Sequence, residues 1–156
     1  MDIAVSDFLS VLESRGVEEL YHANTVTTSC SLLTLGALCS RKEVEDAGLR
    51  QTSQFSDQDD KRFGVWDRVF LDTFDIHSAV ESHNNYGPVL FGFHREFLNQ
   101  GQAGCIRVTR CNPTKWESRS DEDRWFQNID SLREEFEPGN LDHMVVVLTC
   151  LPLSAH

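Results

Sequence analysis

The chain has 156 residues, enough for one domain with a buried core, and 40% of them are apolar, an ordinary share for a globular protein. Its 25 Asp and Glu against 14 Lys and Arg give a formal net charge of −11, and a surface that acidic repels phosphate backbones, which argues against generic binding of duplex nucleic acid. No apolar run approaches the ~18 residues of a membrane span, and the start Met1-Asp2-Ile3-Ala4 lacks the basic and apolar regions of a secretory signal.

The cysteines are Cys30, Cys39, Cys105, Cys111 and Cys150. Their number is odd and no C-x-x-C occurs, so neither a disulfide framework nor a zinc ribbon is expected. Reduced thiols in the cytoplasm are the default expectation. The cations Arg41, Lys42, Arg107, Arg110, Lys115 and Arg119 are read as scattered solvated charges rather than one basic patch.

In chain order, Val5, Phe8, Leu9 and Leu12 follow helical spacing, with Gly16 as a stop. Residues 19–24 read as a short strand holding Tyr21 and His22. Thr27, Thr28 or Ser29 is expected to cap a second helix that runs through Leu35, with Gly36 just past its end. Residues 41–47 form a further short helix ended by Gly48. Residues 50–62 are polar except for Phe55 and are expected to be a loop or lid. Strands are expected at 68–72, 88–93 and, more weakly, 105–109. Residues 121–136 carry Trp125, Ile129, Leu132 and Phe136 at the spacing of one amphipathic helix, ended by Pro138-Gly139-Asn140. Residues 144–148, Met-Val-Val-Val-Leu, read as a buried central strand. The order of elements predicts a single α+β domain over 1–156 rather than a regular βαβ alternation.

His22 is the first candidate for chemistry. A His inside a short apolar strand is most often a hydrogen-bonded structural residue. Its functional reading is that the ring, which offers a donor and an acceptor at neutral pH, orients a ribose-like hydroxyl. Asn24, two residues on, shares its face of the strand. Ser40 and Arg41 follow the next helix, and the planar Arg fork suits a diphosphate.

Tyr21-His22-Ala23-Asn24-Thr25-Val26, then the helix into Gly36-Ala37-Leu38 and the pair Ser40-Arg41, resembles the opening of the ADP-ribosyltransferase superfamily. The nearer likeness is to the DarT-like branch, whose members modify single-stranded DNA. That opening reads Tyr/Phe-His-x-Thr/Asn, a helix, Gly-x-Leu and a basic residue. Trp66-Asp67-Arg68-Val69-Phe70-Leu71-Asp72 resembles the family's second core strand, and 144–148 sits where the catalytic-glutamate strand would fall. The resemblance implies a split, bent antiparallel or mixed β-sheet with flanking helices that grips NAD in a cleft. It implies His22 at the nicotinamide ribose and Asn24, Ser40 and Arg41 toward the adenosine or diphosphate. Phe70 would take the place of a tyrosine stacked on nicotinamide, and 50–62 would be the lid. The expected Glu before the last core strand is missing. Asn140-Leu141-Asp142-His143 stands there, so Asp142 or His143 would take the catalytic role.

Two further groupings carry candidate chemistry. Asp72, Asp75, His77 and His83 have the composition of a divalent-metal site that activates water, although their spacing matches no tight ligand motif. Asn84-Asn85-Tyr86-Gly87-Pro88 reads as a turn into a strand, with Tyr86 as a candidate lining residue of the nucleotide cleft. Trp116, Trp125 and Phe126 are expected as core or interface anchors. The expected function is therefore transfer of ADP-ribose from NAD to a macromolecular acceptor whose identity the sequence does not give. The alternatives are an inactive module of the same fold that binds a partner protein through an acidic, Trp-bearing surface, and a metal-dependent hydrolase.

Overall fold

The structure is a computed structural model that describes residues 2–79, 87–100, 105–148 and 150–153. The chain opens with a two-residue strand β1 (Ile3–Ala4) that runs into helix α1 (Val5–Ser14). Val5, Phe8, Val11 and Leu12 of α1 are buried at helical spacing. Strand β2 (Glu19–Asn24) follows, with the bounds its sequence predicts. Helix α2 (Val26–Leu35) starts earlier than expected. Its cap is Thr25, not Thr27, Thr28 or Ser29, and the Thr25 side chain accepts from Thr28 N. The cause is that β2 runs to Asn24, so Thr25 is the last residue with extended backbone before the helix. Gly36 closes α2 in the left-handed region, at φ 68°.

A two-residue strand β3 (Ala37–Leu38) leads to helix α3 (Arg41–Asp46), whose N-terminus is a capping box between Ser40 and Glu43. Next come α4 (Asp57–Arg62), β4 (Val69–Leu71), α5 (Ile76–Ala79) and β5 (Val89–His94). The C-terminal part holds β6 (Cys105–Val108), α6 (Asp121–Arg124), α7 (Ile129–Glu135), β7 (Val145–Val147) and β8 (Leu151–Pro152). Single 3₁₀ segments lie at Arg95–Gln100 and Pro113–Ser118.

The strands form a four-stranded sheet in the order β1-β6-β7-β4 and two separate pairs, β2-β5 and β3-β8, all antiparallel. This is an α+β fold with its sheet split. The pair β2-β5 meets the larger sheet where Tyr21 and Asp72 exchange two backbone hydrogen bonds of 2.8 Å. β7 is central and buried along its whole length, as expected of Val145-Val146-Val147. Strand alternation sends Val145 and Val147 into the main core with α1 and α7, where Phe8 packs edge-on to Phe136 at 5.6 Å. Val146 points the other way, into a smaller core of Val65, Cys111, Trp116 and Trp125.

The structure corrects several expectations. Residues 57–62 of the presumed loop are helix α4. Asp57, Asp59 and Asp60 occupy its first turn and Lys61 and Arg62 its last, which matches the helix dipole at both ends. The single helix expected over 121–136 is broken. Trp125 and Phe126 are both buried but enter opposite cores, which a continuous helix cannot arrange for neighbouring residues. The backbone is extended at Trp125, which bridges to Thr109, and Asn128 then caps α7. Cys39 and Cys150 form a disulfide instead of remaining thiols, because the pairing of Leu38 with Leu151 brings their Cα atoms to 4.2 Å. Cys30, Cys105 and Cys111 are free. Among the described residues no helix is long and apolar enough to cross a membrane.

Candidate functional site

The residues at the end of β2 form one polarised hydrogen-bonded chain. Thr25 N donates to Asn24 Oδ1 at 2.9 Å, and Asn24 Nδ2 lies 3.1 Å from His22 Nε2. His22 Nδ1 lies 2.9 Å from the carbonyl oxygen of Phe70. A carbonyl only accepts, so Nδ1 carries the proton and Nε2 accepts from Asn24. The ring is neutral. Burial lowers its proton affinity below the ordinary histidine range, the Phe70 carbonyl pulls the other way, and the nearby Arg41 charge adds to the lowering. With both nitrogens engaged, His22 acts as a tie between β2 and β4. Asn24 is itself buried, and Gly87 packs against it so closely that a Cβ would stand 2.2 Å from Asn24 O.

Arg41, at the start of α3, is held on this structure from the far side. Its Nη2 donates to Asp57 Oδ2 and to Thr52 O, each at 2.9 Å, and its Nε lies 2.9 Å from Asp57 Oδ1. The ion pair with Asp57 is bidentate. The guanidinium also lies 5.1 Å from the Trp66 ring centre. Thr52 ties the ends together, since its Oγ1 is 2.7 Å from Thr25 Oγ1 and its N donates to Thr28 Oγ1 at 3.0 Å. Gln51 Nε2 donates to Arg41 O at 3.0 Å. Ser40 is occupied within its capping box.

The structure thus links His22, Asn24 and the backbone of Phe70 on one side, and Ser40 and Arg41 on the other, through Thr25, Gln51 and Thr52. Sequence reasoning missed Ser29, Gln51 and Thr52, which carry part of this junction. Five buried polar atoms here make no hydrogen bond: Arg41 Nε and Asp57 Oδ1 face each other in the ion pair, while Arg41 Nη1, Gln51 Oε1 and Ser29 Oγ have no such partner. Leaving such atoms unpaired costs ~1–3 kcal/mol each. A guanidinium donor, an amide oxygen and a hydroxyl are the kinds of group that a phosphate-and-ribose ligand would use.

Phe70's ring does not join the junction. It packs on the other side of β4 with the small core of Val146 and Trp125. Asp142 and His143 are committed elsewhere. Asp142 Oδ1 accepts from Lys115 Nζ at 2.8 Å and from Asn112 N at 3.1 Å. Burial pushes its carboxyl up, but these two hydrogen bonds outweigh it and hold the group below the usual carboxylate range. His143 is buried, stacked on Phe136 and edge-on to Phe126, and its Nδ1 accepts from Glu137 N at 3.0 Å. Desolvation lowers its proton affinity against the pull of Glu137 and Asp142. Among the described residues no hydrogen bond, ion pair or ring contact links Asp142 or His143 to His22 or Arg41. Tyr86, His83, Asn84 and Asn85 lie outside the described residues.

The metal grouping does not assemble among the described residues. Asp75 Oδ1 and His77 Nδ1 lie 3.8 Å apart, but Asp72 does not join them in a group of three with ligand atoms within 4.8 Å, and His77 Nε2 is taken up at 2.8 Å from Gly87 O. Asp72 is half-buried, and desolvation raises its carboxyl to about 6. Nor are the tryptophans an interaction surface. Trp116 and Trp125 are buried, as core anchors should be, and Trp66 is half-buried, donating its indole N–H to Glu45 at 2.8 Å. Three of the six cations of the candidate basic patch are neutralised by acidic partners. Arg110 pairs with Glu135, Lys115 with Asp142, and Lys42 with Asp46. Comparison with protein-family models, with curated proteins and with solved structures finds no match to this chain.

Proposed function

We propose that this domain binds NAD or an ADP-ribose-type nucleotide at the junction of β2, α2 and α3, and that its reaction is transfer of ADP-ribose to a macromolecular acceptor. One observation carries the reading: Arg41 Nη1, Gln51 Oε1 and Ser29 Oγ are buried and unpaired on three segments that hydrogen bonds of Thr25, Thr28, Arg41 and Thr52 tie together, and the family resemblance would put the cofactor at this junction. Arg41 Nη1 would donate to a phosphate oxygen while Asp57 keeps the fork aimed. Gln51 Oε1 and Ser29 Oγ would take ribose hydroxyls. His22 and Asn24 form the floor. All three unpaired atoms are shielded from solvent, so entry of the ligand requires the 50–56 segment to lift, the part of a lid. NAD, when bound, supplies the ADP-ribosyl group and nicotinamide as the leaving group.

A second reading is a module that binds a partner protein without turnover. It is favoured by Val26 at 56%, Leu33 at 61% and Phe55 fully exposed around the same junction, and by the commitment of Asp142 and His143 to other contacts. Nicotinamide release from NAD, measured with Gln51→Ala and Arg41→Gln beside the wild type, separates the two. Release that falls in both variants supports the transferase. NAD binding without release moves the domain to the second reading, and no NAD binding at all removes the nucleotide from both.

A further inference from the structure

On the face of the four-stranded sheet opposite the main core, the structure holds a cavity of about 70 Å³. The register sets its back wall. Arg107 of β6 lies beside Val146 of β7, so the two share one face and both line the cavity. The lining also includes Trp116, Trp125, Arg68 and Arg124. Three arginines around one cavity stand out in a chain with 25 acidic and 14 basic residues.

Their partners differ. Arg68 Nε lies 3.1 Å from Asp67 Oδ1. Arg124 Nη2 donates to Trp116 O at 3.1 Å, its Nη1 is 3.9 Å from Asp121 Oδ1, and its guanidinium lies 4.7 Å from the Phe63 ring centre. Arg107 is the exception. Its guanidinium lies 3.7 Å from the centre of the Trp125 ring, and among the described residues it makes no hydrogen bond and no ion pair within 4.0 Å. Arg107 Nε and Arg124 Nε are both buried without a hydrogen-bond partner. A buried guanidinium N–H left unpaired is costly, more so than a neutral one. Burial lowers the proton affinity of Arg107, Asp121 and Asp2 partly restore it, and Arg68 lowers it further. A bound anion would relieve both the unpaired donors and the repulsion between the arginines.

We propose that this cavity is an oxyanion subsite, in which Arg107 and Arg124 take a phosphate or carboxylate group with Arg68 beside them. Its volume accommodates roughly five to seven water-sized atoms, which suits one such group and excludes a nucleotide. Asp2 and Asp121, also in the lining, limit the ligand to a small anion. The subsite shares no residue with the β2, α2 and α3 junction, so it stands independently of the nucleotide reading.

The test is tryptophan fluorescence of the full chain, because Trp125 lies directly under Arg107. Inorganic phosphate and, separately, acetate are titrated at constant ionic strength. The expected result is a saturable change, with phosphate or acetate the stronger according to the group the site takes. Arg107→Gln weakens it by about tenfold or more. Arg107→Lys keeps the charge but not the fork and gives a smaller loss, which also carries the test should the Gln variant unfold. Arg119→Gln, on the exposed surface, leaves it unchanged. A titration without saturation overturns the proposal, as does equal affinity in wild type and both Arg107 variants. Loss on Arg41→Gln with retention on Arg107→Gln also overturns it, by placing the anion at the other junction.

Discussion

Arg41 and Arg107 both lie over a tryptophan, yet their forks are treated in opposite ways. Arg41 is gripped by both oxygens of Asp57 and by Thr52 O, and one terminal nitrogen remains unpaired. Arg107 stacks on Trp125 with no acidic partner within 4.0 Å among the described residues. A guanidinium that a carboxylate clamps is a staple, and its chemistry is confined to the donor left over. A guanidinium held only by a ring keeps its donors for something else. The first arrangement organises a junction of three elements, and the second equips a cavity.

The largest effect should come from the frame of the Arg107 cavity. Trp116→Ala removes a fully buried ring that packs against Trp125 at 4.9 Å and Phe63 at 5.6 Å. Unfolding in urea should show a loss of ~3–5 kcal/mol. A loss below ~1 kcal/mol would mean that this core is looser than the structure has it. On the other side, Asp57→Ala leaves Arg41 half-buried without its clamp. The side chains of the pair are only 16% and 22% exposed, so the loss should be ~2–3 kcal/mol by the same measurement. If it matches that of an exposed pair, ~0–1 kcal/mol, Arg41 is not a staple and the contrast with Arg107 collapses.

Asp72, beside the seam between the two sheets, gives a smaller and pH-dependent effect. Its folded carboxyl is raised to about 6 by burial, against ~3.9 in an unfolded chain. The group therefore favours folding fully below pH ~4 and loses that contribution as pH rises through about 6. Asp72→Asn should be more stable than wild type by ~1–2 kcal/mol at pH 7.5, with the gap closing toward pH 4. A gap of constant size across that range would show that desolvation is not the cause. His22 and His143 act in the opposite sense, because burial lowers both. Their contribution is present above pH ~6.5 and is lost as pH falls through their folded values.

Much of the scaffold was legible because its signals are local. The apolar run 144–148, the strand 19–24 and the Gly36 stop each carry their own physics. What failed depended on distant partners. β1, β3 and β8 are two residues long and exist only through their pairings, so no periodicity announces them, and the Cys39–Cys150 bond came with β3-β8. The 121–136 helix failed because Trp125 and Phe126 serve different cores. At the junction, His22, Asn24 and Arg41 were legible as a strand end and a helix start. Ser29, Gln51 and Thr52 were not, since nothing local shows that 50–56 folds back onto α2. Arg107 had one usable signal: it sits between the apolar Ile106 and Val108, which turn inward, and so must face the other side of its strand. Its companions Arg68 and Arg124 had none.

The most direct test of the account is calorimetric titration of the full chain with NAD, run on wild type, Arg41→Gln and Arg107→Gln. The account predicts saturable binding in wild type, a loss of about tenfold or more in Arg41→Gln, and wild-type affinity in Arg107→Gln. No binding in wild type, or binding that Arg107→Gln weakens and Arg41→Gln leaves intact, would contradict it.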